Sequence, residues 1–197
     1  MGVFDLPDGD TQIKCIDLQK NKKLAIKINL AVFAVIILFV AGIAVVPMNI
    51  RAESLNQVPL PFFIQLLFLV ACICAQLLVR GAIIKKFSGK WAKYGAKGSF
   101  AFAGSDAYFD KRRYLTIALS PSVILGALLL LLHLFLPVEW FWRIYFLHAA
   151  NLAMAVADTY IAAVLRGLPS DTLVHDAGVV ITFFSRDQRA RPPANLQ

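Results

Sequence analysis

IYFLHAANLAMAVADTYIAAV, Ile144 to Val164, is an apolar run whose only charged residue is Asp158. A helix needs roughly 18 to 20 residues to cross a hydrocarbon core, and this stretch reaches that length. Three further runs without Asp, Glu, Lys or Arg match it: Ile28 to Val46, Val58 to Val79 and Tyr114 to Val138. Inside lipid every backbone polar group has to be satisfied within the segment, so runs of this length imply helices. The expected fold is an all-α membrane protein: a four-helix transmembrane bundle with a small cytoplasmic β element. A lone carboxylate near the bilayer centre costs about 3 kcal/mol. Asp158 therefore needs a partner or a proton, and it is the first candidate functional residue.

Composition agrees with the spans. The chain has 197 residues, 59% of them hydrophobic, and a mean hydropathy of +0.68, too apolar for an ordinary soluble domain. The net charge of +8 lies beside the spans rather than in them. Five lysines (14, 20, 22, 23, 27) precede the first span, eight basic residues (85, 86, 90, 93, 97, 111, 112, 113) separate the second from the third, and four (166, 186, 189, 191) follow the fourth. The other two connections hold only Arg51 and Arg143. The positive-inside bias predicts a multi-pass protein of the cell membrane with both termini and the long middle connection in the cytoplasm. This divides the chain into a cytoplasmic lead 1–27, a four-helix domain 28–165 that includes the loop 85–113, and a cytoplasmic segment 166–197. Expected partners are the bilayer, its anionic head groups and, for a binding protein, another membrane protein. Nucleic acid is not expected, because the basic residues track the membrane edges.

Nothing after the first span reads as a small-residue cleavage site, so that helix is expected to be retained. Gly2 does not make a myristoylation signal, since Leu6 stands where Ser or Thr is required. Cys15, Cys72 and Cys74 form no C-x-x-C and are expected to be buried free thiols. Two pieces outside the spans have strand character: Gly98 to Ala103, with Phe100 and Phe102 two apart, and Val179 to Phe184, which follows Asp176-Ala177-Gly178. In the predicted topology both lie on the cytoplasmic side, where a small sheet would cap the bundle. Pro121 falls inside the third span and predicts a kink or a local widening.

The polar residues within the spans are patterned. Gln76 and Arg80 are four apart on one face of the second helix. On the fourth, His148, Asn151 and Asp158 share a face. Arg80 lies roughly 7.5 Å along its helix from Lys85, and Asp158 roughly 12 Å from Arg166, at 1.5 Å per residue. The two charges thus sit at comparable depth, and an Arg80–Asp158 pair would remove the penalty each carries alone. The alternative for Arg80 is to snorkel to the interface. Gln76, Arg80, Asn151 and Asp158 form the expected intramembrane polar cluster. His133 and His148 lie towards the outer ends of their spans and are read as hydrogen-bonded to backbone or neighbouring helices. No Ser/His/Asp spacing and no phosphate-cradling glycine loop occurs.

Taken in order, Lys93-Tyr94-Gly95, Lys111-Arg112-Arg113-Tyr114-Leu115, Pro121, Asn151 with Asp158, and Asp176 with Gly178 resemble the layout of a bacterial integral-membrane family of zincin peptidases, distant relatives of site-2 intramembrane metalloproteases. The resemblance implies a helix bearing H-E-x-x-H before a glycine, and a later helix whose Asp supplies the third zinc ligand. With Gly81 as the family glycine, the five motif positions hold Gln76, Leu77, Leu78, Val79 and Arg80. Both histidines and the glutamate base are replaced, and only Asp158 remains. A catalytic zinc takes about three protein ligands and an activated water, with a base to receive its proton. The resemblance therefore implies a degenerate site at Gln76, Leu77, Arg80 and Asp158, with no catalytic residue, metal or cofactor, and a pseudoprotease that binds or regulates. A membrane hydrolase with a non-standard site, and a small transport component that uses Asp158, are the alternatives.

Reporter fusions within Lys90 to Lys97 and after Gln197 should read cytoplasmic, and fusions between Ala52 and Asn56 and at Glu139 external. An external middle connection would overturn the topology.

Overall fold

In the computed structural model, residues 4–6, 9–17, 20–48, 62–97 and 100–185 are described. The Arg51 connection, the predicted span start at Val58, Gly98 with Ser99, and the tail from Arg186 lie outside them. Along the chain run β1 (Thr11–Asp17), α1 (Lys22–Gly42) with a 3-10 turn at Ile43–Val45, α2 (Phe62–Ser88), β2 (Lys93–Lys97), β3 (Phe100–Gly104) and β4 (Tyr108–Asp110). Then follow α3 (Lys111–Phe135), a 3-10 turn at Val138–Trp140, α4 (Phe141–Arg166), β5 (Leu173–Asp176) and β6 (Val180–Ser185). The chain is mostly helical, and four helices are long and apolar enough to cross a membrane. Their outer faces carry large apolar side chains such as Leu38, Leu134 and Phe135, the pattern of helices whose surroundings are hydrocarbon rather than water.

Local chemistry sets the helix ends at the sheet side of the bundle. Asn21 Oδ1 accepts the Leu24 N–H at 3.0 Å and caps α1. Asp110 Oδ1 accepts the Arg113 N–H at 2.9 Å and caps α3. Lys111 Nζ donates to the carbonyls of Arg166 and Leu168, at 3.0 and 2.8 Å, which satisfies acceptors left open where α4 ends. Its length in turn ties the start of α3 to the end of α4.

The β structure is more extensive than the single small element the sequence suggests. Strands β1-β6-β5-β4, in that order, form an antiparallel sheet, and β2 and β3 form a separate antiparallel hairpin. The two segments with strand character become β3 and β6 but belong to different sheets. Strand β6 alternates buried and half-buried residues, with Ile181, Phe183 and Ser185 facing inward. Strand β1 lies in the polar lead and breaks that rule: a register shift between Gln12 and Lys14 lets Ile13 and Ile16 both be buried although they are three apart. With Phe109, Val174, Ile181 and Phe183 they pack on Leu24, Ile84, Tyr114, Ile117 and Leu165 from all four helices. The sheet thus caps the end of the bundle where α1 and α3 begin and α2 and α4 finish.

The cysteines correct one expectation. All three are free, but only Cys72 is buried. Cys15 points off the outer face of β1, and Cys74, two residues from Cys72, is on the exposed side of α2.

The hairpin is pressed against the β5–β6 turn at Gly104. A Cβ there would stand 2.8 Å from the Gly178 nitrogen and 2.9 Å from the Ala177 carbonyl carbon, both backbone atoms. Gly104→Ala should therefore lower the stability of the detergent-purified chain by about 1 to 3 kcal/mol, the usual range for overpacking. An unchanged unfolding temperature would mean that the hairpin is free to move off the turn.

Candidate functional site

Two parallel helices supply the first half of the site. Gln76 and Arg80 project from one face of α2, and Asn151 and Asp158 from one face of α4. Gln76 Nε2 donates to Asn151 Oδ1 at 2.7 Å, and Arg80 Nη1 donates to Asp158 Oδ1 at 2.7 Å. Four residues on α2 span about 6 Å and seven on α4 about 10 Å. The long Arg80 side chain takes up the difference. Gly126 on α3 makes room for this contact, because a Cβ there would meet Asn151 Nδ2 at 3.2 Å. That nitrogen donates to the Ser122 carbonyl at 3.0 Å, so Asn151 joins α2, α3 and α4.

The second half comes from the sheet, and sequence reasoning did not include it in the cluster. Arg80 Nη2 donates to Asp176 Oδ2 at 2.8 Å, and Tyr114 Oη on α3 donates to the same oxygen at 3.0 Å. The Gly178 N–H donates to Asp176 Oδ1 at 2.8 Å. Gly178 has φ +98°, a conformation that glycine adopts at little cost and that closes this Asx-type turn. The Asp176 carbonyl accepts the Ser105 N–H at 2.8 Å and so holds the chain just after β3. The signal available in the sequence was the Asp-Ala-Gly turn itself; only the fold brings it under Arg80.

Arg80 thus bridges two carboxylates rather than snorkelling outward. The side chains of Arg80, Asp158 and Asp176 are only 15%, 17% and 3% exposed, which separates them from the exposed pair Lys93–Asp106. In that exposed pair the hydrogen bond from Lys93, 2.6 Å long, holds the Asp106 carboxyl below its ordinary range. Such a pair contributes little to stability in water; the buried cluster does far more to fix the arrangement of its elements. Arg80 Nε is buried and has no acceptor among the described residues.

A cavity of about 350 Å³ adjoins the cluster. Its walls come from α1, α2 and α4, with Pro121 of α3, the Ala101–Ala103 stretch of β3 and the start of β6 closing it. Gln76, Leu77, Arg80 and Asp158 all line it. His133 and His148 are not part of the site. Their rings lie 6.0 Å apart by centroid, and His133 packs edge-on to Phe141, towards the opposite end of the helices.

Four helices long and apolar enough to cross a membrane, capped by an antiparallel sheet, with a buried arginine–carboxylate centre beside a cavity, define the class of this protein. The chain belongs to the family described as "Putative zincin peptidase", whose model matches residues 70–173, just over half of the sequence. The match runs from α2 through α4 to the first residue of β5 and so includes Gln76, Arg80, Asn151 and Asp158. Comparison with curated proteins and with solved structures yields no match.

Removing Arg80 alone should be more damaging than removing Arg80 and Asp158 together. Arg80→Leu strands two carboxylates and should lower stability by about 3 to 5 kcal/mol, the usual range for breaking a buried pair. Asp158→Leu should be milder, because Arg80 keeps Asp176. The double variant should be more stable than Arg80→Leu alone, since Asp176 retains Tyr114 and the Gly178 N–H. Unfolding of the four proteins in the same detergent measures the coupling. Strict additivity would show that Arg80 and Asp158 do not act together.

Proposed function

We propose that this chain is a non-catalytic member of its family, a multi-pass protein of the cell membrane that binds a membrane partner or substrate helix without cutting it. The observation that carries the reading is the position of Arg80. Its guanidinium donates to both carboxylates that converge on the site, Asp158 and Asp176. A zincin centre needs neutral imidazoles and free carboxylate oxygens directed at the metal. An arginine side chain has five donors, no acceptor, and keeps its charge at any physiological pH.

The residues present do not fit zinc. Gln76 and Arg80 take the places of the two histidines in the H-E-x-x-H register set by Gly81, and Leu77 that of the glutamate base. Among the described residues no three His, Cys, Asp or Glu side chains stand close enough together to hold a metal ion. Gln76 is engaged with Asn151, and Arg80 would repel a divalent cation. On this reading the remains of a metal site have become an ion pair, and the cavity beside it a place to hold rather than to hydrolyse.

The basic residues near the sheet support an orientation with that end in the cytoplasm. Lys85 Nζ lies 4.1 Å from the centroid of the Trp91 ring, a cation and an aromatic ring where interfacial side chains gather. Lys85, Lys86 and Lys90 would attract anionic lipid head groups there.

Elemental analysis of the purified chain should find no stoichiometric zinc, and no proteolysis should respond to a chelator. One equivalent of tightly held zinc would overturn the proposal. Restoring a metal site should require Gln76→His, Leu77→Glu and Arg80→His together, and any one of these alone should fail to retain zinc.

A further inference from the structure

The buried cluster is not electrically neutral. Arg80 supplies one positive charge, and Asp158 and Asp176 supply two negative ones. Their surplus is not shared evenly. Asp176 receives three donors, from Arg80, Tyr114 and the Gly178 N–H. Asp158 receives one, from Arg80 on Oδ1, and its side chain lines the cavity. That side chain is 17% exposed against 3% for Asp176, which does not line the cavity. The uncompensated charge of the cluster therefore faces the cavity at Asp158.

The neighbouring polar groups have the same character. Gln76 spends its amide nitrogen on Asn151, which leaves its carbonyl oxygen as an acceptor. Asn29 of α1 lines the same cavity and carries a second side-chain amide, whose oxygen is an acceptor. A carboxylate with two side-chain amides in the same cavity wall suits the N–H donors of an ammonium group, which need acceptors and gain most from a charged one. The other walls are hydrocarbon, including Ile28, Val32, Ile73 and Met154. A volume of about 350 Å³ is at the small end of ligand-binding sites. A bare metal ion would find too few oxygens here, and a hydrated one would face apolar walls.

We propose that this cavity binds a small protonated primary amine with an apolar body, its ammonium group on Asp158 and its body between α1, α2 and α4. The proposal deepens the non-catalytic reading and rests on it, because a metal centre at Asp158 would use the same oxygen.

The test uses the full chain in detergent, with 2-phenylethylamine as probe and 2-phenylethanol as its neutral counterpart of the same shape. Equilibrium dialysis at pH 7 should show saturable binding of the amine, about tenfold or more tighter than the alcohol, the effect expected from a charge-assisted hydrogen bond. The unfolding temperature should rise with amine concentration. Ala157→Leu, which fills the cavity from α4, should abolish both effects; Val32→Phe, which fills it from α1, is the second variant should the first not fold. Equal binding of amine and alcohol would overturn the proposal, as would binding that survives the filled cavity. An amine that fails to bind to zinc-free protein would overturn the ligand assignment alone. Stoichiometric zinc would instead overturn the non-catalytic reading beneath it.

Discussion

A single guanidinium holds together elements that come from distant parts of the chain. Arg80 sits on α2, one carboxylate comes from α4 and the other from the β5–β6 turn, and Tyr114 of α3 completes the group. In a medium of low polarity none of these charges is stable alone, so each restricts where the others can lie. Apolar contacts between lipid-type helices are weakly directional, because hydrocarbon on a neighbouring helix differs little from hydrocarbon of the lipid. The directional information must then come from polar groups. Gln76 with Asn151 and Arg80 with Asp158 set the register of α2 against α4, and Asp176 sets the sheet against both.

Much of the helical half of this arrangement was legible in the sequence, for a physical reason. Charges inside an apolar run are rare because they are costly, so Arg80 and Asp158 stand out without any alignment. The helical rise then places them at similar depth, and Gln76 and Asn151 follow from spacing. Asp176 is the opposite case. It lies in a polar turn where an aspartate before Ala-Gly is ordinary; that Asp-Ala-Gly signal marks a turn and says nothing of a buried arginine. Its role exists only once the β5–β6 turn has packed against α2 and α3, which bring Arg80 from 96 residues away and Tyr114 from 62. Strand β1 was hidden in a different way: its bulge places Ile13 and Ile16 on one face, which spoils the alternation by which a strand is recognised.

The proposed loss of catalysis follows from the same geometry. An imidazole can give a lone pair to a metal, whereas a guanidinium can only donate protons. Replacing the one by the other at the centre of a carboxylate-bearing site reverses what the carboxylates do: oxygens that would face a cation of charge two now face one of charge one. On the proposed reading, the exchange would leave the carboxylates facing a positive charge, and the fold could keep them in place. That constraint explains why a leucine at position 80 would be a harsher change than the histidine-to-arginine exchange that the family resemblance implies.

One guanidinium set against two carboxylates also leaves a remainder. Asp176 already accepts three hydrogen bonds and does not line the cavity, so the deficit falls on Asp158, the carboxylate of the cluster that does. The cavity is closed on one side by β3 and the β5–β6 turn and on the other by the helices. A positively charged occupant would thus touch the sheet end and the bundle at once and add to the contact that Arg80 already makes between them. Binding there would tighten the same junction on which the fold depends.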